Sequence, residues 1–203
     1  MNGSANTTPV LQGYGVRLIP IARSHASALS ETHDPSTWQW MSESGATPDL
    51  LAAFIDRALA QADAGTAQVW TTALLGDGNP RIAGSTRLAD WNQQHRTGEI
   101  GWTWIAPDLR GTGFNVRVKL LQLRHCFETL HLRRVALKTH HANLRSQRAM
   151  EKIGATFEGV FRNHLIMPDG TSRDTHWYSI LDREWPAVEA RLLARIAAEP
   201  LPV

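Results

Sequence analysis

Residues 106 to 130, APDLRGTGFNVRVKLLQLRHCFETL, set Gly111 and Gly113 beside Arg110 and lead straight into a helical stripe of Val116, Leu120, Leu123, Phe127 and Leu130. The first turn of a helix leaves N–H groups without partners and carries about half a positive charge. Glycines at such a start let a bulky anion reach the backbone without meeting a Cβ. The stretch Arg110, Gly111, Thr112, Gly113, Phe114, Asn115 therefore suits a phosphate or pyrophosphate, with Arg110 adding charge. Two common phosphate loops fit poorly. A P-loop needs lysine and then serine or threonine where Phe114 and Asn115 stand, and the dinucleotide fingerprint needs a third glycine and an early strand–helix–strand unit.

Other groups with chemical potential surround this stretch in the chain. Glu99 lies on the run just before it, either as a proton acceptor or as an exposed glutamate at a strand start. Asn143 and Ser146 sit at the start of a later helix, where asparagine caps the N–H three residues on and serine offers a hydroxyl or a second cap. The segment 131 to 152 holds six arginines or lysines and one acidic residue, an excess suited to a phosphorylated cofactor or nucleic acid, or simply a solvated face. Its basic residues alternate with apolar ones across a strand and a helix, which disfavours a single nucleic-acid face. His140 and His141 are adjacent on a strand end and are expected to point opposite ways, with no partner at zinc spacing, so no metal is predicted. Cys126, the single cysteine, falls on the apolar side of its helix and reads as a buried structural thiol. Trp102 and Trp104 share a strand face that Trp177 could meet across the sheet, while Trp38, Trp40 and Trp91 lie in or near loops that could form an aromatic wall.

The elements that must position these groups follow from patterning. With 203 residues, 42% hydrophobic and 20% charged, the chain fits one domain with a substantial core. No apolar run reaches the length of a membrane helix, and the first residues lack a signal-peptide pattern, so a cytoplasmic protein is expected. Residues 1 to 12 are small and polar and predict a flexible N-terminus; the folded domain spans 13–198 and 199–203 is a tail. GVRLIPI (15 to 21) alternates like a strand, and a short helix follows. TPDLLAAFIDRALAQADAG (47 to 65) predicts a helix capped by Thr47, opened by Pro48 and closed by Gly65. Runs 66 to 75, 81 to 90 and 97 to 106 predict an antiparallel meander, 133 to 140 a strand, and 143 to 155 a helix ending at Gly154. A hairpin around MPDG and a helix from about Glu184 complete the order. The fold class is α+β (mixed α/β). The helix between strands 97 to 106 and 133 to 140 makes those two run parallel.

With Arg110, Gly111, Thr112 and Gly113 in sequence, the chain resembles the GCN5-related N-acetyltransferases, and residues 15 to 183 look like that family's element order. It is similar in particular to the RimJ/RimL-like branch that acetylates ribosomal-protein N-termini. The shared pieces are EIGW before RGTG, then Asn143 and Ser146, then Gly154, Ala155, Glu158, Gly159 and Arg162. Asn115 departs from the glycine or alanine usual at its position. The resemblance implies a mostly antiparallel sheet with one splayed parallel pair, helices on both faces, and an acyltransferase that uses acetyl-CoA and no metal. It implies that the amides of Arg110 to Asn115 hold the pyrophosphate of coenzyme A, and that a backbone N–H near Trp104 or Ile105 polarises the thioester. One of Arg145, Arg148 or Lys152 would face the ribose phosphate, and Asn143 would touch the pantetheine. Glu99 becomes the candidate base and Ser146, in place of the tyrosine many relatives carry, the donor to the leaving thiolate. The expected acceptor is a protein N-terminal α-amine; a small-molecule amine such as a polyamine, an amino acid or an aminoglycoside is the rival, and a CoA-sensing or nucleic-acid-binding module the third reading. The final hairpin offers a sheet edge for a homodimer.

Overall fold

The computed structural model describes residues 8–201. Eight strands form one sheet in the order β1-β2-β3-β4-β5-β6-β8-β7. The strands are β1 (Leu11–Gly13), β2 (Val16–Pro20), β3 (Gln68–Leu74), β4 (Arg81–Asn92), β5 (Thr97–Ile105), β6 (Arg134–His140), β7 (Thr156–Ile166) and β8 (Ser172–Leu181). The helices are α1 (Ala26–Ser30), α2 (Pro35–Trp38), α3 (Pro48–Asp63), α4 (Phe114–Arg124), α5 (Leu144–Ile153) and α6 (Trp185–Ala198). Every neighbouring pair is antiparallel except β5 and β6.

Local chemistry sets these boundaries as predicted. Thr47 Oγ1 accepts the Leu50 N–H at 3.3 Å and Pro48 occupies the first turn of α3, whose Leu51, Phe54, Ile55 and Ala58 are buried. Asn143 Oδ1 caps α5 by accepting the Ser146 N–H at 3.1 Å, and Gly154 ends it in the left-handed region at φ 99°. One core cluster, with Phe54, Val69 and Trp104, lies between the sheet and α1 and α3. The other, with Phe114, Leu120, Ile100, Val135 and Leu192, lies under α4 and α6.

Several sequence-based expectations need correction. Residues 1–7 and 202–203 lie outside the described residues, but Leu11–Gly13 inside and beside the expected flexible segment is a strand paired with β2. The expected tail is also engaged: Arg117 donates to the Glu199 carbonyl, and Leu201 packs on the core. The helix from Phe114 does not stay α-helical to Leu130. It turns into a π-helix over His125–Thr129, with the Leu130 N–H on the His125 carbonyl at 3.0 Å. Trp38 is not a loop aromatic but sits in the core against Phe54 and Trp104. His141 lies in the turn after β6, outside the strand's alternation, so its ring stacks on His140 at 4.4 Å instead of pointing away. At the far edge of the sheet, β7 leaves Phe157, Val160, Phe161 and Ile166 exposed.

Candidate active site

The parallel ladder between β5 and β6 is short. It pairs Thr97 with Arg134, Gly98 with Val135 and Glu99 with Ala136, then stops. From there Leu137–His140 pair only with β8, and Gly101–Ile105 only with β4. A bulge explains the divergence: between the pairs Ser85↔Trp104 and Arg87↔Gly101, β4 contributes Thr86 alone while β5 contributes Trp102 and Thr103. Trp102 takes φ 49°, a left-handed conformation that bends β5 away from β6. A V-shaped gap thus opens in the sheet, floored by Glu99 and Ala136.

Trp104 and Ile105 end β5 on one side of this gap, and a 3₁₀ turn over Pro107–Leu109 leads to the glycine stretch. Two of the stretch's amides serve the turn: Arg110 N–H reaches the Pro107 carbonyl at 3.2 Å, and Thr112 N–H the Leu109 carbonyl at 3.5 Å. The N–H groups of Gly111, Gly113, Phe114 and Asn115 have no acceptor among the described residues. Gly113 is the N-cap of α4 at φ 82° and supplies no capping side chain. Phe114 is fully buried and fixes the helix start to the core. Asn115 Oδ1 is also buried without a donor, so the one position departing from the expected pattern leaves a polar atom unsatisfied at this end of α4.

The two glycines are needed for different reasons. A Cβ on Gly111 would meet nothing within 4 Å, whereas one on Gly113 would lie 2.7 Å from Arg117 Nη1 and 3.1 Å from Glu199 Oε2. Only Gly111 therefore keeps an approach open from outside. Arg110, predicted to add charge to the turn, faces the protein instead. Its Nη1 lies 2.7 Å from Asp34 Oδ2, Nη2 3.0 Å from Thr37 Oγ1, and Nε 3.2 Å from the Ile105 carbonyl. Its hydrogen bond to Asp34 holds that carboxyl well below the usual carboxylate range. Arg110 is thus a strut between α2 and the end of β5. Arg117 braces the same turn, donating to the Gly113 carbonyl at 3.1 Å and the Ile196 carbonyl at 3.2 Å.

Glu99 is not the exposed strand-start residue of the plainer reading: it is 3% exposed. Burial pushes its pKa up, opposed by Lys138, whose Nζ lies 2.8 Å from Glu99 Oε2 as an ion pair without the alignment of a hydrogen bond. Lys138 Nζ also lies 5.6 Å from the Trp102 ring and 5.1 Å from the Trp177 ring. The two indoles expected to meet across the sheet are thus bridged by an ammonium. On the other side of the gap, Ser146 is half-buried in the first turn of α5. Arg145, Arg148 and Lys152 are exposed, with no ion pair recorded among the described residues. Cys126 is buried with its thiol pushed up to about 12, which makes it inert at neutral pH. No group of three or more His, Cys, Asp or Glu among the described residues is arranged to hold a metal.

Sequence reasoning missed two contributors and one buried lysine. Lys138 carries a signal, since Arg134, Ala136 and Lys138 share one face of β6 by period two and Ala136 faces Glu99. Asp34, as partner of Arg110, carries none, being 76 residues away. Lys119 lies between Val118 and Leu120 in an apolar run and is 5% exposed, with burial pushing its ammonium down to about 7.

Comparison with known proteins agrees with this architecture. Residues 16–156 match the model of the family described as "Acetyltransferase (GNAT) domain". Over 112 residues the chain is 36% identical to the Bacillus subtilis protein named "Putative ribosomal N-acetyltransferase YdaF". That alignment covers 55% of this chain and 59% of the relative, so the chain spans little more than half of the relative's length. A GCN5-related N-acetyltransferase from Brucella melitensis superposes with a TM-score of 0.84 at 27% identity, over 95% of this chain and 87% of the other. RimJ from Mycobacterium smegmatis, solved in complex with CoA-disulfide, shares the fold with a TM-score of 0.77 at 23% identity, over 94% and 93% of the two chains. The family's model covers most of the chain, and the chain belongs to the GNAT acetyltransferases, enzymes that take an acetyl group from acetyl-CoA.

Proposed function

We propose that this chain transfers the acetyl group of acetyl-CoA to the α-amine of a protein N-terminus, of the ribosomal-protein type. The observation that carries the reading is the gap opened between β5 and β6 directly above buried Glu99, with unpartnered amides waiting at the end of β5. The N–H groups of Gly111, Gly113, Phe114 and Asn115 hold the diphosphate of the donor, aided by the positive end of α4. Thr112 contributes its position, since its N–H and hydroxyl both serve the Leu109 carbonyl. Arg110 acts as the strut that keeps the turn in place. Arg148, with Arg145 and Lys152 near it on α5, faces the ribose phosphate, and Asn143 adds a contact to the pantetheine while capping α5.

The bulged end of β5, at Trp104 and Ile105, presents one backbone N–H to the thioester carbonyl as a small oxyanion site: that of Ile105, which points away from β4. A free α-amine has a pKa of about 8 and is mostly charged at neutral pH, so a proton must leave it. Glu99, with its pKa raised by burial, takes that proton directly or through a water. The amine nitrogen then bonds the carbonyl carbon, and as the C–S bond breaks the Ser146 hydroxyl gives its proton to the departing thiolate and takes in its place the second proton that leaves the nitrogen. The YdaF name supports a ribosomal acceptor.

One observation favours a small cationic amine as second reading. A cavity of about 350 Å³ beside β5 is lined by Asp90, Trp91 and Trp102 with Gln61, Gly65, Thr66 and Ala89. A carboxylate and two indoles lining one cavity suit an ammonium group. The nucleic-acid reading weakens, because Arg134 and Lys138 of the basic segment are paired with Glu158 and Glu99. The test is thermal unfolding with coenzyme A, acetyl-CoA and pyrophosphate, where a ligand at about 100 times its Kd stabilises by about 2.7 kcal/mol. Thiol release with N-terminal peptides and with small amines then identifies the acceptor. No stabilisation by any of the three would end the enzyme reading, and release only with small amines would replace the protein acceptor.

A further inference from the structure

Lys119 is a buried cation for which the reaction above has no use. Its Nζ binds three oxygen atoms: Thr86 Oγ1 at 3.2 Å, Thr103 Oγ1 at 2.9 Å and Gln122 Oε1 at 2.9 Å. No carboxylate pairs with it among the described residues. An ammonium taken from water without a counter-charge is costly, and a methionine would suit the surrounding core, so the three contacts need a reason.

Two of those contacts converge on the β5 bulge. Thr103 is one of the two bulged residues, and Thr86 is the single β4 residue opposite them. The two hydroxyl oxygens lie 2.7 Å apart, and Thr103 donates to the Gly101 carbonyl at 3.2 Å. Thr103 therefore closes the bulge on itself while its oxygen accepts from Lys119. The conformation held in this way is strained, since Trp102 is a bulky residue at φ 49°. Without a brace from the α4 side, the strand could relax toward regular pairing.

We propose that Lys119 is a positioning residue for acetyl transfer: through Thr103 and Thr86 it pins the β5 bulge and so fixes the direction in which the Ile105 amide, on the edge of β5 away from β4, meets the thioester. The inference rests on the reading that the thioester lies in the β5–β6 gap. It adds that this amide is aimed from the buried side of the sheet, by a side chain that never touches the donor. Burial pushes the Lys119 ammonium down to about 7, and in either protonation state its N–H groups donate to the hydroxyl oxygens at the bulge.

The test uses acetyl-CoA labelled with ¹³C at the carbonyl, bound to the full chain, and reads the isotope-edited C=O stretch together with the Kd of coenzyme A. In the wild-type protein the band moves to lower frequency than in free acetyl-CoA, because an N–H polarises the carbonyl. In Lys119→Met and Thr103→Val the band returns toward its free position. Thiol release with the best wild-type acceptor peptide then drops about 10- to 100-fold, as expected for a donor misaimed by a fraction of an ångström. The coenzyme A Kd stays within about threefold, the sign that binding and fold are intact. Thr103→Ser keeps the hydroxyl and restores the wild-type band; the Val and Ser pair carries the test should Lys119→Met not fold. A shifted band that stays unchanged in both Lys119→Met and Thr103→Val would overturn the positioning role alone. A wild-type band identical to free acetyl-CoA would overturn the thioester placement as well.

Discussion

The two helices that leave the splayed strands begin in opposite ways. After β6, α5 opens with Asn143, whose side chain takes the Ser146 N–H at 3.1 Å. After β5, α4 opens with Gly113, which has no side chain to offer, and the amides around it find no acceptor among the described residues. Both helices have the same positive end, but α4 leaves more of it available. The same contrast runs through the glycines before α4. Gly113 is required by the close packing of Arg117 and Glu199, whereas Gly111 faces open space. Both glycines sit at φ 82°, but only Gly111 leaves its outer side free for a ligand.

The comparison can be broken in four ways, taken from the largest expected effect to the smallest. Glu99→Gln leaves both helix starts intact and removes the proton acceptor between them. It should lower kcat by about 100- to 10,000-fold with little change in acetyl-CoA affinity. Loss of affinity with an unchanged kcat would assign Glu99 to binding. Gly111→Val should weaken coenzyme A binding about 100-fold or more, erasing the thermal stabilisation of about 2.7 kcal/mol, while the strain of its φ of 82° costs the free protein about 1 kcal/mol. An unchanged shift with coenzyme A would mean that the open face of the turn is not where the diphosphate lies.

The third concerns the helix bodies, because α4 buries a lysine while the basic residues of α5 are exposed. The Lys119 pKa of about 7 in the folded protein lies below its ordinary value of 10.5. Between those values the unfolded chain binds more protons, so folding stability rises with pH. The slope is at most about 1.4 kcal/mol per pH unit. Denaturant unfolding from pH 7 to 8.5 should show this rise in the wild-type protein and a flatter profile in Lys119→Met. Identical profiles would mean that the ammonium is better solvated than its position implies. The smallest effect belongs to α5: Asn143→Ala should cost about 1 kcal/mol of stability and leave pyrophosphate binding unchanged. A matching loss of pyrophosphate affinity would erase the distinction between the helix starts.

What was legible in the sequence divides along physical lines. Thr47, Pro48, Asn143 and Gly154 act on backbone within a few residues of themselves, and their helices formed where their chemistry placed them. The glycine turn was legible for the same reason, and its location at the end of β5 followed from the order of elements. Long-range pairings were not. Arg110 looked like a free cation because its partner, Asp34, stands at the N-cap of a helix of four residues with no strong pattern. Period two placed Trp102 and Trp104 together, yet the bulge at Trp102 and Thr103, which opens the gap, leaves no clear mark in a run of β-forming residues. Lys119 was hidden by the opposite effect: a lysine in an apolar helix reads as a solvent-facing position, and only the covering of α4 by both the sheet and α6 makes it internal.

The central claim is that the free amides of this turn grip a diphosphate. Amide-resolved NMR of ¹⁵N-labelled protein, titrated first with pyrophosphate and then with coenzyme A, tests it most directly. The account predicts that pyrophosphate alone moves the N–H signals of Gly111, Gly113, Phe114 and Asn115 most, that the Ser146 N–H held by Asn143 stays in place, and that coenzyme A extends the changes to Trp104 and Ile105. A turn whose signals stay still while those at the start of α5 move would contradict it.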